Sequence, residues 1–387
     1  MIPRVLTSRL QKLAQQFPVL TVLGPRQAGK TTLVRNAFPN KPYLSLENPD
    51  VQEFALSDPR AFLSRYSEGA ILDEVQRAPE LLSYLQGIVD EKKQKGLFIL
   101  TGSHNYLLQE KVVQTLAGRT ALLTLLPFSV EELRGSHEAT LSQTILRGGY
   151  PEVALGLIDR EEWFAAYLRT YVERDVRFIK NIPDLRTFRT FLNLCAGRVG
   201  QVLSLSGLAT DCGISHNTAK GWLSVLESSY LIFLVQPYYK NFNKRVIKAP
   251  KLYFYDSGLL TYLLGIHTLE QYEQHYARGS VFESFVFSEI LKKEFATQAN
   301  DSLYYWRDSL GREVDGLLEK DGRILAVEVK AGQTVNEHFF DGLSYFKKIA
   351  KKEAGQAFLV YAGDEKFFRK GVQVLDWKSA GEVLDIT

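Results

Sequence analysis

The segment that decides the fold is Gly24-Pro25-Arg26-Gln27-Ala28-Gly29-Lys30-Thr31, which Thr32 follows. Its glycine, lysine and threonine spacing is that of a phosphate-binding loop. A β-rich run, residues 19–23, precedes it and a helix start, residues 31–37, follows it, which is the context such a loop requires. Backbone N–H groups can close on phosphates, Lys30 can supply a cation to the terminal ones, and Thr31 can offer its hydroxyl to Mg²⁺. The sequence therefore predicts a site for ATP and Mg²⁺, with the whole segment binding the nucleotide.

A pair of carboxylates follows a second apolar run. Residues 69–72 read Gly-Ala-Ile-Leu and lead directly into Asp73 and Glu74. Both carboxylates are thus expected at the carboxyl edge of a buried strand, where the ligands of open α/β sheets bind. Asp73 is predicted to hold the Mg²⁺ shell, and Glu74 to orient or deprotonate the attacking water. A solvated strand end is the alternative, but the upstream phosphate-binding loop favours the catalytic interpretation and predicts ATP hydrolysis.

Two further segments have the composition of strands. Residues 43–46 lie between the two motifs, and the apolar residues 97–100 lead into small polar residues that end at Ser103. With these segments, the chain resembles the additional-strand P-loop ATPases of the AAA-like class, in which a strand lies between the two nucleotide motifs. In that class the next strand ends in a polar sensor. The resemblance implies a sensor role for Ser103, and an ordinary polar strand end is the alternative.

One arginine is a candidate for contact with the γ-phosphate. Arg119 precedes the last apolar strand of this region, residues 121–126, and we predict that it acts as an arginine finger or sensor. A surface arginine is the alternative, and other arginines compete for the role: Arg147, Arg169 and Arg174. If the finger acts on a neighbouring copy, the active form is a homo-oligomer.

The composition is typical of folded protein. Apolar residues make up 45% and charged residues 24% of the sequence, and 387 residues predict two or three domains. We find no apolar run long enough to span a bilayer and no signal peptide with a cleavage site. The two cysteines, Cys195 and Cys212, lack metal-ligand spacing and are too few for a disulfide framework. We therefore expect a cytoplasmic protein without a membrane partner.

The predicted fold class is α/β with helical insertions. Beyond Pro127 the β-rich runs give way to polar helical sequence, and a Gly-Gly-Tyr-Pro break follows at residues 148–151. We expect four parts, which are an ATPase core over residues 1–135, a helical lid over 136–183, a winged helix over 184–268 and a C-terminal α/β domain over 269–387.

The pattern between residues 188 and 255 is typical of a winged helix. Three amphipathic helices are predicted, with Gly213 in the turn between the second and the third, which makes a helix-turn-helix. Two predicted strands then flank a stretch without acidic residues whose cations are Lys240, Lys244, Arg245, Lys248 and Lys251. This cationic wing predicts contact with DNA phosphates. A solvated basic face, or a winged helix that binds proteins, is the alternative.

The C-terminal part places carboxylates on two neighbouring strands. Asp315 lies at the start of one predicted strand, and Glu328 and Lys330 lie two apart on the next, so they project to the same face. The acids are predicted to hold Mg²⁺ or Mn²⁺ through oxygen, and Lys330 to steady or polarise the attacking water at a phosphodiester. A surface ion pair is the alternative for the two residues of the second strand.

This constellation resembles the PD-(D/E)xK nuclease superfamily, although Val314 stands where the motif has proline. The resemblance implies a restriction-endonuclease-like α/β fold, with Glu283 as the metal-binding acid that many members supply from the preceding helix. Nearly the whole chain resembles a prokaryotic family of ATPases with an AAA-like domain, a winged helix and a nuclease-like tail.

Two hypotheses follow. The first is an ATP-driven, DNA-associated protein whose tail binds or cuts DNA. The second is a nucleotide-dependent conformational switch whose winged helix and degenerate tail bind proteins. The basic wing and the intact Asp315, Glu328 and Lys330 favour the first. A simple transcription regulator would leave the tail unexplained.

Overall fold

The computed structural model describes residues 2–103, 111–112, 114–135, 139–172, 184–238, 249–297, 303–320 and 322–385. Two compact units divide the chain. The first unit comprises Met1–Phe128, Ser228–Tyr230 and Phe295–Thr297, and the second comprises Ser129–Glu227, Leu231–Glu294 and Gln298–Thr387. Within these described ranges, no helix combines the length and the apolar character needed to cross a membrane.

The first unit is built on a five-stranded sheet. Its strands are β1 (Val19–Gly24), β2 (Tyr43–Ser45), β3 (Ala70–Asp73), β4 (Phe98–Ser103) and β5 (Thr120–Thr124). Their order in the sheet is β2-β3-β4-β1-β5, and all neighbouring pairs are parallel. Strand β4 therefore lies between β1, which leads into the phosphate-binding loop, and β3, which leads into the carboxylate pair. This additional-strand order confirms the predicted P-loop fold.

Helices lie along both faces of this sheet. They are α1 (Leu6–Ala14), α2 (Lys30–Ala37), α3 (Pro49–Ser57), α4 (Pro59–Ser64) and α5 (Leu81–Lys92), with a 3₁₀ turn at Val75–Arg77. Along β1, Val19 and Leu23 belong to one apolar core, and Leu20 and Val22 belong to the core on the opposite face. Because side chains alternate along a strand, a sheet that is covered on both faces requires a nearly unbroken apolar sequence.

The second unit begins with short helices. They are α6 (Val130–Leu133), α7 (Leu141–Arg147), α8 (Pro151–Ala154) and α9 (Arg160–Tyr167), which continues as a π-helical turn through Leu168–Val172. Aromatic rings hold this part together. Trp163 and Tyr167 stack with ring centroids 4.8 Å apart, and Tyr150 packs against both. These aromatic side chains are buried and form a packing core, while residues 173–183 lie outside the described ranges.

A helix-turn-helix and a hairpin follow. The elements are α10 (Leu185–Ala196), α11 (Leu205–Cys212), α12 (His216–Ser228), β6 (Ile232–Pro237) and β7 (Lys251–Phe254). Gly213 has a φ of 66° at the end of α11, a left-handed conformation that glycine adopts without strain. Strands β6 and β7 pair in antiparallel fashion, as the two strands of a wing do. Residues 239–248, with four of the five wing cations, lie outside the described ranges.

The remaining elements build a larger sheet. They are α13 (Ser257–Leu263), α14 (Leu269–Gln274), α15 (Arg278–Thr297), β8 (Leu303–Arg307), β9 (Glu313–Lys320), β10 (Arg323–Lys330), α16 (Asp341–Ala350), β11 (Ala354–Tyr361), β12 (Phe367–Arg369) and β13 (Val372–Asp376), with 3₁₀ segments at Glu337–Phe340, Lys351–Glu353 and Trp377–Leu384. The strand order is β12-β13-β11-β10-β9-β8-β6-β7. Because β6 pairs with β8, one sheet continues across the predicted boundary between the winged helix and the C-terminal domain.

Candidate functional site

The phosphate-binding loop joins β1 to α2 in a conformation that requires glycine at two positions. Gly24 has a φ of 150°, and a Cβ there would lie 2.0 Å from the carbonyl oxygen of Leu125. Gly29 has a φ of 92° at the N-cap of α2. Both conformations are rare for residues with a side chain. The spacing of the two glycines in the sequence thus has a direct steric cause.

Lys30 lies inside this loop. Its side chain is buried, and its Nζ donates hydrogen bonds to the carbonyl oxygens of Gly24 at 3.1 Å and Pro25 at 2.7 Å. The ammonium group is therefore held at the mouth of the loop by backbone oxygens. A lysine ammonium acts on phosphates as a compact point charge, and the loop positions this charge beside the backbone at the start of α2.

Asp73 and Thr31 meet at the carboxyl edge of the sheet. The Thr31 hydroxyl donates to Asp73 Oδ2 at 2.9 Å, and the Tyr43 hydroxyl donates to the same oxygen at 2.6 Å. The Thr101 hydroxyl donates to Asp73 Oδ1. The two residues predicted to share a Mg²⁺ shell are thus brought together, and the hydroxyl groups orient the buried carboxylate. Their oxygen donors are of the kind that Mg²⁺ prefers.

The sequence analysis missed Tyr43 and Thr101. Tyr43 lies on β2 and Thr101 on β4, the two neighbours of β3 in the parallel sheet, and both hydroxyls reach the Asp73 carboxylate. Burial, together with the Asp73 carboxylate, raises the pKa of Tyr43 well above its usual range, so the phenol remains a hydrogen-bond donor. The position of Thr101 near the carboxyl end of an apolar strand was an available signal, whereas Tyr43 is the first residue of β2 and gave none.

Glu74 has an unusual backbone for a residue with a side chain. Its φ of 57° and ψ of 48° lie in the left-handed region, and its carboxylate accepts a hydrogen bond from the Gln76 side chain. Such a conformation costs about 1 kcal/mol or more, and strained residues of this kind cluster at functional sites. This conformation turns the chain immediately after β3, so the side chains of Glu74 and Asp73 leave the backbone in different directions.

The remaining residues predicted for the ATP site, Ser103 and Arg119, lie at opposite ends of the sheet. Ser103 pairs in register with Gly24, so its backbone lies at the loop edge of the sheet. Arg119 does not lie there, because its carbonyl oxygen accepts from Val19 N at the opposite end of β1. Its guanidinium donates to both carboxylate oxygens of Asp90, at 2.6 and 2.8 Å. The prediction that Arg119 contacts the γ-phosphate within its own chain is therefore wrong.

The competing arginines are not part of the first unit. Arg147 and Arg169 belong to the second unit, and Arg174 lies outside the described residues.

A second group of charged side chains lies in the second unit, and we refer to it as the acid–lysine cluster. Its members are Lys251, Glu283, Glu313, Asp315, Glu328 and Lys330. The Lys330 Nζ lies 2.6 Å from Glu328 Oε1 and 3.5 Å from Asp315 Oδ2. The convergence of Asp315, Glu328 and Lys330, predicted from the period-two pattern, is thus observed.

Lys251 is the unexpected member of the cluster. Its Nζ lies 3.2 Å from Glu283 Oε1 and forms an ion pair with Glu313. The sequence analysis counted Lys251 among the cations of the wing that would contact DNA phosphates, but β7 directs its side chain into the interior, where it cannot make that contact. Although burial lowers its pKa, the carboxylates of Glu283, Asp315 and Glu313 raise the pKa of Lys251 above the usual lysine range, so it remains charged.

Burial is the largest cause of the pKa shifts of two carboxylates in the cluster. It raises the pKa of Glu283 to about 7, where the neighbouring Lys251 opposes the shift and Asp315 adds to it. It raises the pKa of Glu328 to about 8, with the negative charge of Asp315 as the next cause. Removing carboxylates from water disfavours their charged form, and a like charge nearby disfavours it further.

The metal site predicted at Glu283, Asp315 and Glu328 is not assembled. Among the described residues, no three His, Cys, Asp or Glu side chains are placed to hold a metal ion together. The physical reason is that ammonium groups already face the carboxylates, Lys251 at Glu283 and Lys330 at Glu328 and Asp315. A hard divalent ion requires several oxygen ligands that are free to converge on it. The residues present do not fit the implied metal.

Comparisons with known proteins match three segments of the chain to family models. Residues 16–134 match the family model described as AAA domain, and two further models match domains of unknown function, DUF8612 over residues 138–270 and DUF4143 over residues 278–380. The uncharacterized protein Rv2008c of Mycobacterium tuberculosis is 31% identical over 364 residues, which span 93% of this chain and 80% of that protein. The uncharacterized protein Mb2031c of Mycobacterium bovis matches with the same identity and coverage.

The chain belongs to this family of P-loop ATPases. Among solved structures, the Walker-type ATPase paby2304 of Pyrococcus abyssi is similar at 16% identity and a TM-score of 0.45, over 67% of this chain and 94% of that one. Drosophila ORC bound to DNA is similar at 16% identity and a TM-score of 0.24, over 67% of this chain and 84% of that one.

The helix-turn-helix of this P-loop ATPase presents a polar surface at the start of α12. The side chains of His216, Asn217 and Lys220 are exposed, while Thr218 is half-buried. The Ser215 hydroxyl accepts a hydrogen bond from the backbone N–H of Thr218 at 3.0 Å, which caps the helix. The apolar residues Trp222, Leu223 and Leu226 are buried, as the amphipathic pattern predicted.

Proposed function

We propose that this protein hydrolyses ATP at the phosphate-binding loop of its first unit. The observation that supports this proposal is the 2.9 Å hydrogen bond between the Thr31 hydroxyl and the Asp73 carboxylate at the carboxyl edge of the sheet. A threonine after the loop lysine and an aspartate at the end of a neighbouring strand are the two residues that hold Mg²⁺ in P-loop enzymes. Bound Mg²⁺ neutralises charge on the phosphate oxygens.

Each residue has one task in this proposal. Lys30 exchanges its contacts with the Gly24 and Pro25 carbonyl oxygens for the terminal phosphate oxygens, which carry more negative charge. Thr31 and Asp73 orient the metal shell, and Tyr43 and Thr101 keep the Asp73 carboxylate in place. Glu74 orients or deprotonates the attacking water. Ser103, at the loop edge, is the proposed sensor of the γ-phosphate.

The test is the rate of phosphate release from ATP by the full chain with Mg²⁺ and with chelator. We expect hydrolysis that requires Mg²⁺ and that Asp73→Asn reduces strongly, because the substitution removes charge from the metal shell. Asp50→Asn, which changes a carboxylate on the exposed surface of α3, is the matched control and should leave the rate unchanged. Hydrolysis of equal rate in Asp73→Asn would place the catalytic site elsewhere.

We also propose that the protein binds double-stranded DNA through α11, α12 and the wing, and that the tail contributes binding rather than cleavage. The exposed polar start of α12 supports DNA as the partner, because the second helix of a helix-turn-helix enters the major groove by its N-terminal residues. The acid–lysine cluster, in which ammonium groups already pair with the carboxylates, supports binding without cleavage.

Fluorescence anisotropy with labelled duplex DNA over a series of salt concentrations tests the DNA proposal. Replacing Lys244, Arg245 and Lys248 with Ala should weaken binding and flatten its salt dependence, because fewer counterions are released. Replacing the α1 surface lysine, Lys12→Ala, is the control. If the wild type binds no DNA, the rival proposal of a nucleotide-dependent switch that binds proteins is favoured.

We also propose that the active form is a homo-oligomer. Light scattering with and without ATP tests this proposal.

A further inference from the structure

The acid–lysine cluster unites four elements of the second unit. Lys251 comes from β7, Glu283 from α15, Glu313 and Asp315 from β9, and the remaining pair from β10. Ion pairs link each lysine to two acids: Lys251 to Glu283 and Glu313, and Lys330 to Glu328 and Asp315. Four carboxyl groups thus surround two ammonium groups.

Lys251 is the member that water reaches least. Its side chain is 4% exposed, whereas that of Lys330 is 31% exposed. The Tyr253 hydroxyl donates to Glu283 Oε1, the same oxygen that Lys251 contacts, and the Lys251 Nζ lies 5.5 Å from the centre of the Tyr305 ring. A charge buried to this degree is stable only when opposite charges and hydrogen bonds surround it. The cluster therefore holds Lys251 at one defined position.

One carboxylate oxygen of the cluster has no partner. Glu328 Oε2 is buried and accepts no hydrogen bond from the described residues, although Lys330 satisfies Glu328 Oε1. Asp315 Oδ2 also accepts from the backbone N–H of Val329 at 2.9 Å, which fixes its orientation. Oriented carboxylate oxygens with spare capacity are what a divalent cation needs, provided that no ammonium group competes for them.

We propose that Lys251 takes the place of a divalent cation in this cluster, so that the chain's own ammonium group offsets the negative charge of the two acids it contacts, Glu283 and Glu313. The same contact fastens the wing strand β7 to α15 and β9. In consequence the wild-type tail binds no Mn²⁺. A variant that lacks the Lys251 ammonium group gains a Mn²⁺ site once the acids that Lys251 contacts, Glu283 and Glu313, are free to converge with Asp315 on the strand of Glu313.

The experiment is calorimetric titration of Mn²⁺ into the nucleotide-free full chain. We expect no Mn²⁺ binding by the tail of the wild type, and binding at least about tenfold tighter by Lys251→Met, since the substitution frees carboxylate oxygens while it keeps the side-chain volume. Adding Asp315→Asn to Lys251→Met should abolish the gain. Lys292→Met is the matched control, because the Lys292 side chain is only 8% exposed and its Nζ lies 2.7 Å from Glu289 Oε1, but it is not a member of the acid–lysine cluster. It should gain no Mn²⁺ binding.

Two results would overturn the proposal. One is Mn²⁺ binding by the wild type that Asp315→Asn removes, since the metal would then share the cluster with Lys251. The other is a folded Lys251→Met that binds no more Mn²⁺ than the wild type. Should Lys251→Met fail to fold, Lys251→Gln, which has no charge but can still donate hydrogen bonds to Glu283 and Glu313, is titrated in its place and judged by the same two results.

Discussion

The two groups of lysines and carboxylates in this protein are satisfied in opposite ways. In the phosphate-binding loop, Lys30 donates to backbone carbonyl oxygens, and Asp73 accepts from the hydroxyls of Thr31, Tyr43 and Thr101. In the tail, each lysine bonds directly to carboxylates. A carboxylate that accepts hydrogen bonds from neutral hydroxyls can still bind a metal ion. A carboxylate that is paired with a buried ammonium group already has a counter-ion, which competes with a metal. We therefore expect the first unit to hold a metal ion with its nucleotide and the tail to hold none.

The largest effect should come from the loop lysine. Lys30→Ala should weaken ATP binding by about a hundredfold or more, because the cation on the terminal phosphates is lost and no other contact replaces it. Titration of a fluorescent ATP analogue measures this change. Lys12→Ala, at an exposed position on α1, is the control and should bind ATP as the wild type does. Equal affinity in Lys30→Ala would show that the nucleotide binds elsewhere.

Glu74 should affect turnover without affecting binding. Glu74→Gln keeps the shape of the side chain but removes the base that orients the water, so phosphate release should fall by about 100-fold or more at unchanged ATP affinity. Single-turnover kinetics beside equilibrium binding separates the two quantities. The control is Glu80→Gln, an exposed carboxylate before α5. Full activity in Glu74→Gln would assign the catalytic acid to another residue.

The sequence predicted the loop, the carboxylate pair and the helix-turn-helix because each depends on neighbours in the chain. The motif of Gly24 to Thr31 needs only its flanking strand and helix, and the turn at Gly213 needs only a left-handed residue. The strand order that places β4 between β1 and β3 followed from the resemblance to a known class.

Long-range placement was harder to predict. Tyr43 and Thr101 reach Asp73 only because their strands are parallel to β3 in one sheet. Arg119 was misplaced although the sequence held the signal, since a residue that precedes a parallel strand lies at the amino edge, away from the loop. The burial of Lys251 depends on its pairing with acids from α15 and β9, and a run of basic residues gives no sign of that.

The two lysines of the tail should differ in their contribution to stability. Lys251→Met should lower the free energy of unfolding by about 3 kcal/mol, because it removes the buried ammonium group that Glu283 and Glu313 share. Lys330→Met should cost only about 1 kcal/mol, since its side chain is 31% exposed and water can replace it. Denaturant unfolding of the two variants beside the wild type measures the difference. Equal costs would mean that the burial of Lys251 is not what fixes its ion pairs.

The smallest expected effect concerns Glu227, a carboxylate whose pKa is shifted by burial and not by a neighbouring charge. Burial raises the pKa of Glu227, at the end of α12, from 4.5 to about 6. The folded state therefore disfavours the charged carboxylate. The resulting loss of stability is absent below the unfolded pKa of 4.5, grows as the pH rises from there to about 6, and is constant above that. After allowance for partial exposure, Glu227→Gln should stabilise the protein by about 1 kcal/mol near neutral pH and by nothing in acid. Thermal unfolding across that pH range is the measurement.

The number of Mn²⁺ ions bound per chain separates the two sites most directly. Electron paramagnetic resonance of the full chain with Mn²⁺ and a non-hydrolysable ATP analogue counts them. We expect one ion per chain, lost in Asp73→Asn and retained when Asp315→Asn and Glu328→Gln are combined. A second ion that disappears in the combined variant would mean that the tail of the wild type holds a metal and that its lysines do not close the site.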